Sequence, residues 1–167
     1  MKSLLRYNCA LMITAAILFL EGCSMEDPKP GVSDNLSALR EIVNIQIPAK
    51  SARWEIFGTP EYTGGVPGPT DFVTLIAELT PTEPNWLDSK KEPTGDIYVA
   101  PEAARPWLSE PFHRLMEKNK NISADLSSQL TCRKYETSLK KTGKQVNGFA
   151  CSNADRLLIY LTLSSTQ

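Results

Sequence analysis

Residues 53–79, RWEIFGTPEYTGGVPGPTDFVTLIAEL, decide the fold. Trp54 and Ile56 alternate with Arg53, Glu55 and Phe57, the period-two pattern of a half-buried strand. A second run places Val73, Leu75, Ala77 and Leu79 on one face and Phe72, Thr74, Ile76 and Glu78 on the other. The segment between, 58–70, holds four glycines and three prolines and suits neither helix nor strand. A loop of this length fixed between two strands is a candidate for function. Glu61, Tyr62 and Asp71 around its Pro-Gly centre are the candidate partner-binding residues. The alternative is a packed Ω-loop with Tyr62 capping the core.

Upstream, residues 35–47 combine a short helix or turn, capped by Ser33 or Asp34, with a strand over 42–47 that Pro48 ends. Downstream, 80–94 is a second proline-rich loop in which Trp86 and Leu87 stand among polar residues. They fold back over the core edge, or Trp86 anchors a partner, since aromatics dominate interface energetics. A short strand at 96–100 precedes the main helical region, 101–119. Pro106 and Pro111 divide that region into a turn near 102–105 and a helix from about 111, because proline suits a first turn but not a helix interior. A polar connection spans 119–128.

The last third reads as a three-stranded meander. Alternating runs at 130–138 and 145–152 flank a turn-like LKKTGK, and 156–164 supplies the final strand with Leu157, Ile159, Leu161 and Leu163 on one face. A hairpin centred near 141–142 sets 132 opposite 151, 134 opposite 149 and 136 opposite 147. Cys132 and Cys151 then form a disulfide, closing a loop of about 20 residues and stabilising by about 3 kcal/mol. The competing reading, a metal pair, is a poor zinc site without a neighbouring histidine. The expected fold class is α+β: a mainly antiparallel sheet with one main helix and a C-terminal, disulfide-linked β-meander.

The chain opens with Lys2 and Arg6 followed by an apolar run over 9–20, the pattern of a secretory signal and too short to span a bilayer comfortably. Leu20-Glu-Gly-Cys23 resembles the lipobox of bacterial lipoproteins: Leu20, Gly22 and Cys23 match, whereas Glu21 stands where a small residue is usual. The resemblance implies cleavage before Cys23, lipidation of its thiol and, with Ser24 following, the outer membrane, facing the periplasm. The domain plan is a signal peptide over 1–22, a lipidated tether over 23–35 and one globular periplasmic domain over 36–167. Several acyl chains on one residue give stable anchoring, and the oxidising periplasm suits the disulfide.

Removing the leader leaves 145 residues with 16 basic and 18 acidic side chains. That near-neutral balance gives no support for nucleic-acid or anionic-membrane binding through a basic field. His113 is the only histidine, and it stands at helical spacing beside Phe112 and Met116 without a Gly-x-Ser-x-Gly elbow elsewhere. The glycines at 64–68 are interleaved with proline and lack a Walker lysine, and neither a carboxylate pair nor a metal-ligand cluster stands out. The expectation is a binding protein rather than an enzyme, with no cofactor and no metal.

On RWEIFGTPE at 53–61, Gly64-Gly65, PGPTD at 67–71 and LIAE at 75–78, the chain resembles outer-membrane lipoproteins of Gram-negative bacteria that act as immunity proteins against type VI secretion lipase effectors. The resemblance covers about 30 residues closely. It implies a periplasm-facing lipoprotein that binds and neutralises an incoming phospholipase or lipase, touching the membrane only through its lipid. Two alternatives come from other classes: a structural or assembly lipoprotein of an envelope complex, and a periplasmic lysozyme-type inhibitor, whose Ser-Gly-x-x-Tyr type of motif is absent here.

Overall fold

The computed structural model describes residues 31–61 and 70–165. The chain runs through α1 (Leu36–Ile42), β1 (Ala49–Thr59), β2 (Phe72–Pro81), β3 (Asp96–Val99), α2 (Glu110–Asn119), β4 (Ile122–Asp125), β5 (Thr131–Ser138), β6 (Gln145–Asn153) and β7 (Arg156–Ser165). Short 3-10 turns lie at Trp86–Ser89 and Pro101–Ala103. The main sheet has the order β1-β2-β7-β6-β5, antiparallel at every pairing, and β3 and β4 form a separate two-stranded ribbon. The protein is α+β, as its patterning predicts.

Period-two alternation decides the layering, because it sends neighbouring side chains to opposite faces of the sheet. Trp54, Leu75, Ala77, Leu79, Leu157, Ile159 and Leu161 join one core with Leu39 of α1 and with Val43, Ile45 and Ile47. Phe57, Ile76, Leu158, Tyr160 and Phe149 face the other core, which α2 covers with Phe112, Leu115 and Met116 and the ribbon with Val99 and Leu126. Both faces are therefore covered. The half-buried strand expected at 53–57 is buried on both sides over Trp54 and Glu55, and Glu78 in β2 is only 5% exposed. Such carboxylates need partners. Glu78 accepts from the Ser109 N–H at 2.8 Å and from Arg156 at 2.8 Å.

Two further expectations are corrected. Residues 42–47 make no ladder strand: Val43 forms one isolated bridge with Leu139, and Asn44 bonds Ser138. Val43, Ile45 and Ile47 are buried while Asn44 and Gln46 are exposed, so the alternation reflects extended chain lying on a core. Pro48 precedes a strand rather than ending one. The connection over 119–128 contains β4, whose four residues, ISAD, are too few for their alternation to mark a strand, with Ile122 exposed and Ala124 packed against the core. The helix cap also moves to Asn35, whose Oδ1 accepts from the Ala38 N–H. Ser33 pairs with Trp54 of β1, so the end of the segment assigned as tether belongs to the fold.

The hairpin register agrees with the sequence reading: Cys132 opposes Cys151, Lys134 opposes Phe149 and Glu136 opposes Asn147. The Cys132–Cys151 disulfide is formed, and both residues are fully buried. β6 passes so close to β7 that a Cβ on Gly148 would lie 1.8 Å from the Tyr160 carbonyl oxygen, which requires glycine there. Tyr160 links the sheet to the ribbon, its hydroxyl donating to the Tyr98 carbonyl and accepting from the Ala100 N–H. Burial raises its pKa above the ordinary phenol value.

Candidate functional site at the root of the long loop

β1 and β2 stay paired up to Thr59 opposite Phe72, and the Asp71 N–H bonds the Thr59 carbonyl at 2.8 Å. The loop thus opens from a closed root. Gly58 permits this closure, since a Cβ there would come within 2.8 Å of Thr70 Cγ2. The chain leaves β1 through a cis Thr59–Pro60 peptide.

The root is held to the opposite layer by charge. Arg105, in the turn before α2, sits with its Cζ 4.3 Å from the Phe57 ring centroid. Its guanidinium grips Glu61 in a two-pronged pair at 2.9 and 3.0 Å and reaches Glu55 Oε1 at 3.0 Å. Trp107 donates its indole N–H to the second oxygen of Glu55 at 2.8 Å. Glu102 takes the Thr59 hydroxyl at 2.9 Å and the Glu61 N–H at 3.3 Å. Planar two-oxygen recognition of a carboxylate suits arginine and fixes orientation as well as position. The Arg105 side chain is 12% exposed and that of Glu55 10%, whereas Glu61 keeps 42% exposure. The cluster is therefore buried at its base and open at Glu61.

This arrangement places the sequence-derived candidates as follows. Glu61 and Asp71 stand together as exposed residues flanking the mouth of the loop, while Tyr62 lies outside the described residues. Trp86 belongs elsewhere. It packs beside the core on the α1 side, edge-on to Tyr135 at 5.9 Å, with Lys90 Nζ 5.2 Å over its ring, and Leu87 beside it is buried. Glu61 and Asp71 thus lie at one place in the fold, and Trp86 lies apart from them over the core edge. Cys23 lies outside the described residues, and Cys132 and Cys151 form the disulfide.

Sequence reasoning missed Arg105, Glu55 and Trp107 as site residues. Their pairings join positions 44 to 52 residues apart, which no local pattern signals. A buried glutamate in a strand and an arginine between prolines are legible only as isolated oddities.

Chemically the root is a closed network of hydrogen bonds and ion pairs. Its carboxylates are occupied by Arg105, Trp107, Thr59 and backbone N–H groups. Among the described residues no group of three His, Cys, Asp or Glu side chains could hold a metal ion, and no helix is long and apolar enough to cross a membrane. His113 lies partly buried on α2, its backbone N–H bonded to the Ser109 carbonyl. Glu110 beside it has its pKa lowered, chiefly by the hydrogen bond from Arg114. No family model matches this chain, and no curated protein or solved structure gives a significant match to it.

Proposed function

We propose that this chain is a lipid-anchored, periplasm-facing immunity protein that binds a type VI secreted phospholipase or lipase and blocks its action. The observation that carries the reading is that the described residues bearing the resemblance, 53–61 and 70–78, form a loop root held by strand pairing and by the Arg105–Glu55–Glu61 cluster. Preorganisation of this kind lowers the ordering cost of binding. Exposed Glu61 and Asp71 give the rim an acidic character suited to a cationic patch on the partner.

The test is a charge reversal, Glu61→Lys with Asp71→Lys, in binding to a candidate type VI lipase sought among the products of neighbouring genes. Loss of rim complementarity should weaken the complex by about tenfold or more, with the larger change in association rate at low salt. Affinity and salt dependence equal to the wild type would remove the loop mouth from the interface. Capture of envelope-assembly components in place of a lipase would favour the assembly reading.

A further inference from the structure

The edge of the sheet farthest from the long loop carries a different charge. Segment 88–92 docks onto β5: the Lys134 N–H bonds the Glu92 carbonyl at 3.1 Å, and Arg133 Nε reaches the Lys90 carbonyl at 3.2 Å. A groove of about 430 Å³ between them is lined by Lys90, Lys91 and Lys134 and also by Glu92 and Glu136. At the other end of β5, the hairpin turn carries Lys140, Lys141 and Lys144, all exposed. Together, 88–92 and 131–145 hold seven cations against three carboxylates, whereas the remaining described residues hold eight against thirteen.

Pairing sharpens the contrast. Lys134 is neutralised by Glu136 at 2.8 Å and by Glu92. Among the described residues, the other six cations of this edge, Lys90, Lys91, Arg133, Lys140, Lys141 and Lys144, make no ion pair, whereas of the eight cations elsewhere Arg53, Arg105, Arg114, Lys120 and Arg156 each hold a carboxylate and Arg40, Lys50 and Lys118 do not. The unpaired cations extend along the edge from the level of residue 134 to the turn at 140–141, about 20 Å at the rise of a β-strand.

We infer that this edge is a docking surface for the anionic phospholipid headgroups of the membrane to which the chain is tethered. Five of the six unpaired cations are lysines. Lysine is depleted from protein interfaces, where arginine and aromatics are enriched, whereas clusters of four to eight basic residues bind anionic lipid surfaces. A 20 Å line of separate point charges exceeds one small anion and matches a row of headgroups. The reach is adequate: the eight residue-to-residue steps from Cys23 to residue 31, where the described fold starts, span at most about 28 Å. The five-stranded sheet is about 19 Å across, from β1, where that chain enters, to β5. The inference rests on the lipoprotein reading, because only an anchored domain keeps this edge near a bilayer.

The test uses the full chain extracted from its native envelope and reconstituted in nanodiscs of phosphatidylcholine alone or with phosphatidylglycerol. Lysine acetylation by a water-soluble reagent is read residue by residue by mass spectrometry. Labelling of Lys90, Lys91, Lys140, Lys141 and Lys144 should fall about fivefold in the anionic discs. Lys50 and Lys118 should label equally in both, and high salt should abolish the difference. In the Lys140→Glu, Lys141→Glu variant, Lys90 and Lys91 should lose most of their protection. Equal labelling in both discs would overturn the inference, as would protection that arises only when the lipase is added, which would assign the edge to a protein. The mass of the Cys23 peptide reports lipidation separately, so a failed anchor and a failed docking surface give different results.

Discussion

Arg105 joins what the chain keeps far apart. Its charge is buried against Glu55 and Phe57 and reaches solvent only through Glu61. Removing one partner of a buried pair leaves the other uncompensated, so Arg105→Ala should destabilise the domain by about 3–5 kcal/mol in urea unfolding. The double variant Arg105→Leu, Glu55→Leu should lose less than the single, because no orphaned carboxylate remains. A loss below about 1 kcal/mol in the single variant would contradict the cluster's structural weight.

Asp125 makes a second residue-scale case. Hydrogen bonds from the side chains of Ser127 and Thr94 and from the Ser127 N–H hold its pKa below the ordinary aspartate value. A carboxylate with a lowered folded-state pKa adds stability above its unfolded value of 3.8, lost as pH falls through the lower folded value. Asp125→Asn should therefore be less stable at neutral pH and show a flatter decline below about pH 4. Parallel acid titrations of stability in variant and wild type would contradict the assignment. Neither residue was legible beforehand: Arg105 takes its role from Glu55 and Glu61, more than forty positions away, and Asp125 from Ser127 close by together with Thr94, 31 positions away.

Elements were more readable than residues, for a physical reason. Strong alternation identified β1, β2, β5, β6 and β7, and the KKTGK turn set the hairpin register that joins Cys132 to Cys151. Replacing both cysteines with alanine should cost about 3 kcal/mol, a drop in Tm of about 10 °C, and reduction of the wild-type protein should reproduce most of it. A Tm within about 2 °C of wild type would show that the hairpin is held by its ladder alone. Pattern failed where tertiary partners decide. β4 is too short for its alternation to mark a strand, which only its pairing with β3 makes it, and 42–47 alternates because it crosses a core without a full ladder partner. The burial of Glu55 and Glu78 was equally hidden, because the covering layer comes from 101–126.

On the scale of the molecule, the sheet separates two surfaces. β1 carries the entry of the chain and, with β2, the acidic loop root; the unpaired lysines lie beside β5, in segment 88–92 and in the turn that follows the strand. An anchored domain of this kind can lie against anionic headgroups by one edge while offering the loop mouth to a lipase approaching its substrate. Immunity requires that such binding abolish catalysis on a membrane.

The most direct measurement is phospholipid hydrolysis on vesicles by a candidate type VI lipase as the intact protein is titrated in. Immunity predicts a linear fall to background at a fixed stoichiometric ratio, with the Glu61→Lys, Asp71→Lys variant shifting the curve to higher concentration. Hydrolysis unchanged at a large excess of folded, disulfide-bonded protein would contradict it.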